Sequence, residues 1–279
     1  MPSESATILV LRKTKLGETD LIITGFSDEG RQVRAVVKGG RKPGSRLGAH
    51  LELYSVARVL LHKGRSLHTV TEVSGLCSNE ECRGDVLHSA AAAVVVELLD
   101  KVSMDGDTEP RLFPLAVEAL RCVGAVPDEG VPLIAAATIL KVASQLGFRP
   151  SLKECAFCGA PVGQGDGASG TVGDGASVPV VPSPPPAAAS VAFSAAQGGC
   201  ICAACLAEAA PGGCQTVAPS LIDWAEVLIT SRFVELERYA DAEHAATGLA
   251  LLEFARDWLR AHLVPRLKSL DFLLSLNAR

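Results

Sequence analysis

The chain has 279 residues, 48% of them hydrophobic, a formal net charge of −5 and nine cysteines. That length exceeds one typical domain and the apolar content supports burial, so a largely disordered chain is excluded and two folded units are expected. No run of eighteen apolar residues occurs, and MPSESATILVLRK lacks the basic start and longer apolar core of a signal peptide, so a soluble cytoplasmic protein with no membrane partner is expected.

The charge is unevenly spread. Residues 1–76 carry twelve Lys/Arg against seven Asp/Glu, a balance of +5, which leaves −10 for the remainder. Within 1–77, five β-prone runs alternate with turn signals: ATILVLR, DLIITGFS, RQVRAVVK, HLELYSVARVLL and LHTVTEVSG, broken by DEG, KGGRKPGS and HKG. This spacing predicts a five-stranded OB-fold barrel, and an SH3-like barrel fits the same pattern.

Arg31, Arg34, Lys38, Arg41, Lys42 and Arg46 fall in a stretch from Arg31 to Leu51 that contains no acid. Its glycine-rich centre lets backbone and side chains approach a polyanion, so these six are the candidate DNA-binding residues. The plain alternative is a solvated loop without a partner. The P-loop spacing is missing, so nucleotide hydrolysis is not indicated. Phe26 and Tyr54 are the only barrel aromatics, so binding through phosphate rather than base stacking is expected.

After Cys77 the texture becomes alanine- and leucine-rich with helical spacing over 85–103, 109–124 and 130–147. Asp85, Glu109 and Asp128 stand near the starts and Gly106, Gly124 and Gly147 near the ends. Residues 78–150 thus read as the first part of a helical domain.

Residues 151–214 read as a zinc module with six of the nine cysteines. Cys155 and Cys158 form one C-x-x-C pair, Cys202 and Cys205 another, which suits one tetrahedral Zn2+. Forty-three residues separate the pairs, but closing a longer loop costs little extra. Cys200 is an alternative to Cys202, although the spacing favours Cys202. Two unrelated pairs of buried cysteines would be the plain reading. Four thiolates leave no open position, so a structural metal is expected. The Gly/Pro/Ser-rich stretch of about 161–192 reads as a disordered insertion. Residues 215–279 return to helical periodicity, in LIDWAEVLITS, in 242–262 and in a short helix after Pro265, with Trp224, Phe254, Trp258, Leu259 and Leu263 as candidate core.

A zinc deaminase would pair H-x-E with P-C-x-x-C. His50-Leu51-Glu52 matches the first half, but neither cysteine pair follows a proline. Ser220, His88 and Asp223 belong to no recognisable nucleophile motif, so no enzyme is expected.

Three features in this order resemble the RecO recombination-mediator family: the barrel with its G-E-T-D turn and K-G-x-R-K-P-x-S loop, CAFCGA with GGCICAAC, and the closing LRAHLVPRLKSLDFL. The resemblance covers most of the chain outside the insertion, which is longer than the family pattern. It implies an α+β protein: an N-terminal five-stranded OB-fold barrel, then an α-helical domain with an embedded four-cysteine zinc module. It also implies a cytoplasmic, nucleoid-associated protein of DNA repair and homologous recombination that binds ssDNA and dsDNA and anneals complementary strands. Its implied partners are RecR, single-strand-binding protein and, indirectly, RecA. Carried over by position, Lys38, Arg41, Lys42 and Arg46 contact DNA, with Arg12 and Lys13 as further candidates. The same transfer makes Cys155, Cys158, Cys202 and Cys205 the metal ligands. Lys268 is either a DNA contact or a solvated cation at a helix end. An adaptor whose basic barrel binds an acidic protein remains the alternative.

Overall fold

The computed structural model describes residues 3–64, 67–103, 108–162, 190–207 and 213–277. Its first unit is a closed barrel of β1 (Ser3–Leu16), β2 (Asp20–Ser27), β3 (Gln32–Val37), β4 (Val56–His62) and β5 (His68–Cys77), with a one-turn helix α1 (Arg46–Ala49) between β3 and β4. The strands run in the order β1-β2-β3-β5-β4, all antiparallel except β3 beside β5, which makes the barrel OB-like.

The interior is filled by Ile8, Val10, Ile23, Ala35, Ala57, Val59 and their neighbours. Leu9 and Leu11 point the other way and join the core of the helical body with Phe26, Tyr54 and Val56. Adjacent strand residues face opposite sides, so the unbroken run Ile8-Leu9-Val10-Leu11 marks a strand covered on both faces. The barrel docks on α2 (Val86–Val102). There Arg12 faces Asp100 at 3.6 Å, Gln32 Nε2 donates to Asp100 Oδ1 at 3.0 Å, and the Tyr54 hydroxyl donates to the Ser89 carbonyl at 3.2 Å. At the turn before β3, a Cβ on Gly30 would stand 2.3 Å from the backbone of Glu109. Only glycine permits that approach.

The helical body continues with α3 (Leu112–Ala125), α4 (Val131–Gln145), α5 (Pro219–Thr230), the short α6 (Phe233–Leu236), α7 (Ala245–His262) and α8 (Lys268–Asn277). In α4, twelve of fifteen residues are buried, and it packs against α2, α3, α5 and α7. Gly248 lets α7 approach Leu133 closely. Trp224, Phe254, Trp258 and Leu259 are buried as expected, and Leu263 is partly so. Asp85 caps α2 through the His88 N–H, whereas α3 and α4 start at Leu112 and Val131 without a side-chain cap.

Between α4 and α5 the chain forms a sheet that periodicity did not announce: β6 (Val191–Ser194), β7 (Gly199–Ile201) and β8 (Gln215–Val217), in the order β7-β6-β8. Strands of three or four residues are too short to alternate legibly. At the ends of the stretch 161–192 read as an insertion, Pro161 bridges Glu154 and Val191 begins β6. Residues 163–189 of it, and Gly106, lie outside the described residues. Among the described residues, no helix is long and apolar enough to cross a membrane.

Candidate metal centre and nucleic-acid interface

The candidate metal centre is built by two turns. In the first, Cys155 N–H donates to the Ala160 carbonyl at 2.7 Å and Gly159 N–H returns to the Cys155 carbonyl at 2.9 Å, with Gly159 at a φ of 71° that disfavours other residues. In the second, Cys205 and Leu206 N–H groups both point at the Cys202 carbonyl. The turns are locked together by Ala156 N–H to the Cys200 carbonyl at 2.8 Å and by Cys202 N–H to Cys155 Sγ at 3.3 Å.

The sulfurs of Cys155, Cys158, Cys202 and Cys205 all lie within 4.8 Å of one another, and this group can hold a metal ion. Cys158 Sγ and Cys202 Sγ are 3.7 Å apart, close to the roughly 3.8 Å edge of a tetrahedron with Zn–S bonds of about 2.3 Å. The N–H groups of Cys202 and Cys158 hold the Cys155 thiol down to about 6, which favours its thiolate, while hydrogen bonding of the Cys205 thiol to Cys158 and Cys202 pushes Cys205 up to about 12. Cys200 is fully buried in β7, outside this group, and desolvation raises its thiol to about 11. The geometry therefore brings together Cys202 and not Cys200. Neither His50 nor any other histidine joins the four sulfurs, and Glu52 accepts from Lys13 Nζ at 2.7 Å.

The six basic candidates occupy the turn before β3 (Arg31), β3, the loop before α1 and α1 itself, and all are exposed. They are not equivalent. Arg31 pairs with Glu29. Arg41 donates to the Gly17 and Glu18 carbonyls at 3.2 and 2.9 Å, tying its loop to the β1–β2 turn. The loop is further held by Asp20, whose Oδ1 accepts from Gly39 N–H at 2.8 Å. That bond, helped by Thr19 and the nearby Lys38 and Lys42, keeps the Asp20 carboxyl below its ordinary range. Ser45 Oγ caps α1. Arg34, Lys38, Lys42 and Arg46 form no ion pair among the described residues.

Side chains alternate along β3, so Arg34 shares the outward face that leads to Lys38, with half-buried Val36 between them. Four exposed cations that form no ion pair among the described residues thus follow one another along β3, its adjoining loop and the start of α1. Arg12 and Lys13 are instead engaged by Asp100 and Glu52. For the L-K-S motif, Glu97 of α2 accepts from the N–H groups of Lys268 and Ser269 at 3.1 and 2.8 Å and from Ser269 Oγ at 2.5 Å. Glu97 thus caps the start of α8 through the motif's backbone and serine, and the Lys268 side chain is exposed. No sequence signal reveals that Arg31 and Arg41 are committed locally, because their partners are a neighbouring acid and backbone carbonyls.

Residues 1–78 match the family model described as Recombination protein O N terminal, and residues 83–271 match Recombination protein O C terminal. A protein of Desulfitobacterium hafniense (strain DSM 10664 / DCB-2) named DNA repair protein RecO is 41% identical over 154 residues, 55% of each chain. Proteins of the same name in Roseiflexus sp. (strain RS-1) and Bacillus mycoides (strain KBAB4) are each 36% identical over 152 residues. That stretch is 54% of this chain and 53% and 60% of theirs, so the chain spans about half the length of the curated relatives it matches.

Proposed function

The chain belongs to the Recombination protein O family, and from that premise we propose that it is a non-catalytic DNA-repair mediator whose barrel binds DNA by its phosphates. The observation that carries this reading is the set Arg34, Lys38, Lys42 and Arg46, exposed and in no ion pair among the described residues, on an OB-like barrel. The β2–β3 face and adjoining loops of that fold are its usual oligonucleotide surface.

On this reading the four cations neutralise phosphates of ssDNA or dsDNA and release counterions. Two complementary strands held there repel each other less, and base pairing supplies the sequence specificity of annealing. The barrel itself reads no bases, in keeping with the absence of aromatics among the four cations. Arg41 and Asp20 shape the loop, and Arg41 contributes to the positive field. The acidic helical body serves protein partners, among them RecR and single-strand-binding protein, in the loading of RecA. One Zn2+ held by Cys155, Cys158, Cys202 and Cys205 fixes the sheet to the helices. Four thiolates fill its coordination, so its role is structural. The cytoplasm, at the nucleoid, is the site of action.

The test is DNA binding and strand annealing by the Arg34, Lys38, Lys42, Arg46 quadruple alanine variant across a salt series. The expected outcome is an affinity loss of about two orders of magnitude and a duplex salt slope smaller by roughly 3.6, with unchanged melting. Equal binding and annealing by variant and wild type overturns the placement of the DNA. Failure of both proteins to bind at low salt overturns the reading itself in favour of an adaptor for an acidic protein.

A further inference from the structure

The start of α2 and the turn before α4 bring together Asp85, His88 and Asp128, three residues distant from the cysteine cluster in sequence and unused by the function proposed above. His88 is 8% exposed. Its Nε2 lies 3.0 Å from the Val126 carbonyl oxygen. A carbonyl only accepts, so Nε2 carries a hydrogen, and in the tautomer with that one hydrogen the Nδ1 lone pair faces the other way. That lone pair meets carboxylates, with Asp85 Oδ2 at 2.6 Å and Asp128 Oδ1 at 3.8 Å. Despite these distances, Nδ1 is buried and has no hydrogen-bond partner. The near carboxylate is off the line a hydrogen bond needs.

Three electron-pair donors facing one another repel unless positive charge lies between them. A proton on Nδ1 answers only one contact, and it requires the alignment that is missing here. A metal ion accepts all three pairs at once and needs no alignment between the ligands. One donor atom from each residue lies within 4.8 Å of the others. An imidazole whose second nitrogen donates to a backbone carbonyl is the usual orientation of a metal-bound histidine. Asp85 retains Oδ2 for a metal because its Oδ1 is the one that accepts the His88 N–H at 2.9 Å.

We infer that Asp85, His88 and Asp128 form a second metal site, separate from the four cysteines, for a first-row divalent cation such as Zn2+ or Co2+. One nitrogen and two carboxylate donors suit these ions, whereas Mg2+ prefers an all-oxygen octahedron. The side chains of Asp85 and Asp128 are 49% and 73% exposed, so water completes the coordination. The ion clamps the first turn of α2 to the turn that leads into α4.

The experiment titrates the protein, carrying one zinc per chain, with Co2+ at pH 7.5, following the heat of binding, visible absorption and melting temperature. The expected result is one further Co2+ per chain, with weak absorption that lacks a sulfur-to-cobalt band, and a raised melting temperature. Asp128→Asn and Asp85→Asn each weaken this event by roughly 10- to 100-fold or more, since losing a ligand costs at least as much as losing an outer-shell partner. Asp128 is exposed, so its variant folds, and unchanged zinc content and melting without cobalt verify this. Three outcomes overturn the inference: no Co2+ beyond the zinc, which leaves only a proton at Nδ1; affinity within twofold of wild type in both variants, which places the cobalt elsewhere; or a sulfur-to-cobalt band.

Discussion

The barrel and the helical body treat their cations differently. In the body, Arg111, Arg121, Arg149, Arg232, Arg256, Arg260 and Arg266 each face a carboxylate, as in the 2.7 Å contact of Arg149 with Glu226. Lys141 is half-buried and donates to the Ile229 and Ser231 carbonyls at the end of α5. In the barrel, Arg12, Lys13 and Arg31 form ion pairs, and Arg34, Lys38, Lys42 and Arg46 form none among the described residues. Lys101, Lys153 and Lys268 of the body are also exposed and form no ion pair among the described residues, so what distinguishes the barrel is that four such cations follow one another along β3 and the loop into α1. The barrel row is therefore expected to govern affinity and the body contacts to govern stability.

This division can be broken by body variants that alter DNA binding. The largest effect is expected from Cys205→Ser, which removes a ligand from the cysteine centre. Loss of a metal bound at about a thousandfold over its dissociation constant lowers stability by about 4 kcal/mol. Denaturation with and without chelator measures this, and DNA affinity below the melting transition should stay within threefold. Next, Leu273→Ala empties a fully buried position on α8, at a cost of about 3 kcal/mol in a urea titration. Glu97→Gln weakens the cap of α8 by about 1 kcal/mol, read by faster hydrogen exchange of the Ser269 amide. Smallest is Arg149→Ala, which removes an exposed ion pair with Glu226 and costs under about 1 kcal/mol. A DNA-affinity loss above tenfold in Leu273→Ala or Arg149→Ala would show that the body shares the DNA interface.

Much of this architecture was legible in the chain. The alternating runs of 1–77 gave five strands, and the pattern in Asp85–Val102 gave a capped helix, because both periods follow from which face is buried. The order in which the strands close was not legible, and it is the pairing of β3 with β5 that separates the OB-like barrel from the alternative. The cysteine centre was readable because each half is local. Which of Cys200 and Cys202 belongs to it became clear only once Cys200 was placed in β7. The group of Asp85, His88 and Asp128 left no signal, since the α2–α3 hairpin alone brings the third residue to the first two. Glu97 looked like any helix-surface acid, and its role depends on a partner 171 residues away.

That cap also sets a timetable for the molecule's synthesis. Glu97 sits on the second helix of the chain, and the backbone groups it binds belong to the eighth. At a ribosomal rate of about 5–20 residues per second, the flank of α2 waits on the order of ten seconds for its cover. During that interval the barrel can close and dock, while the body lacks the leucines of α8 that seal it. The nascent chain should therefore hold a finished barrel beside an open helical flank, where chaperone capture or premature association would concentrate.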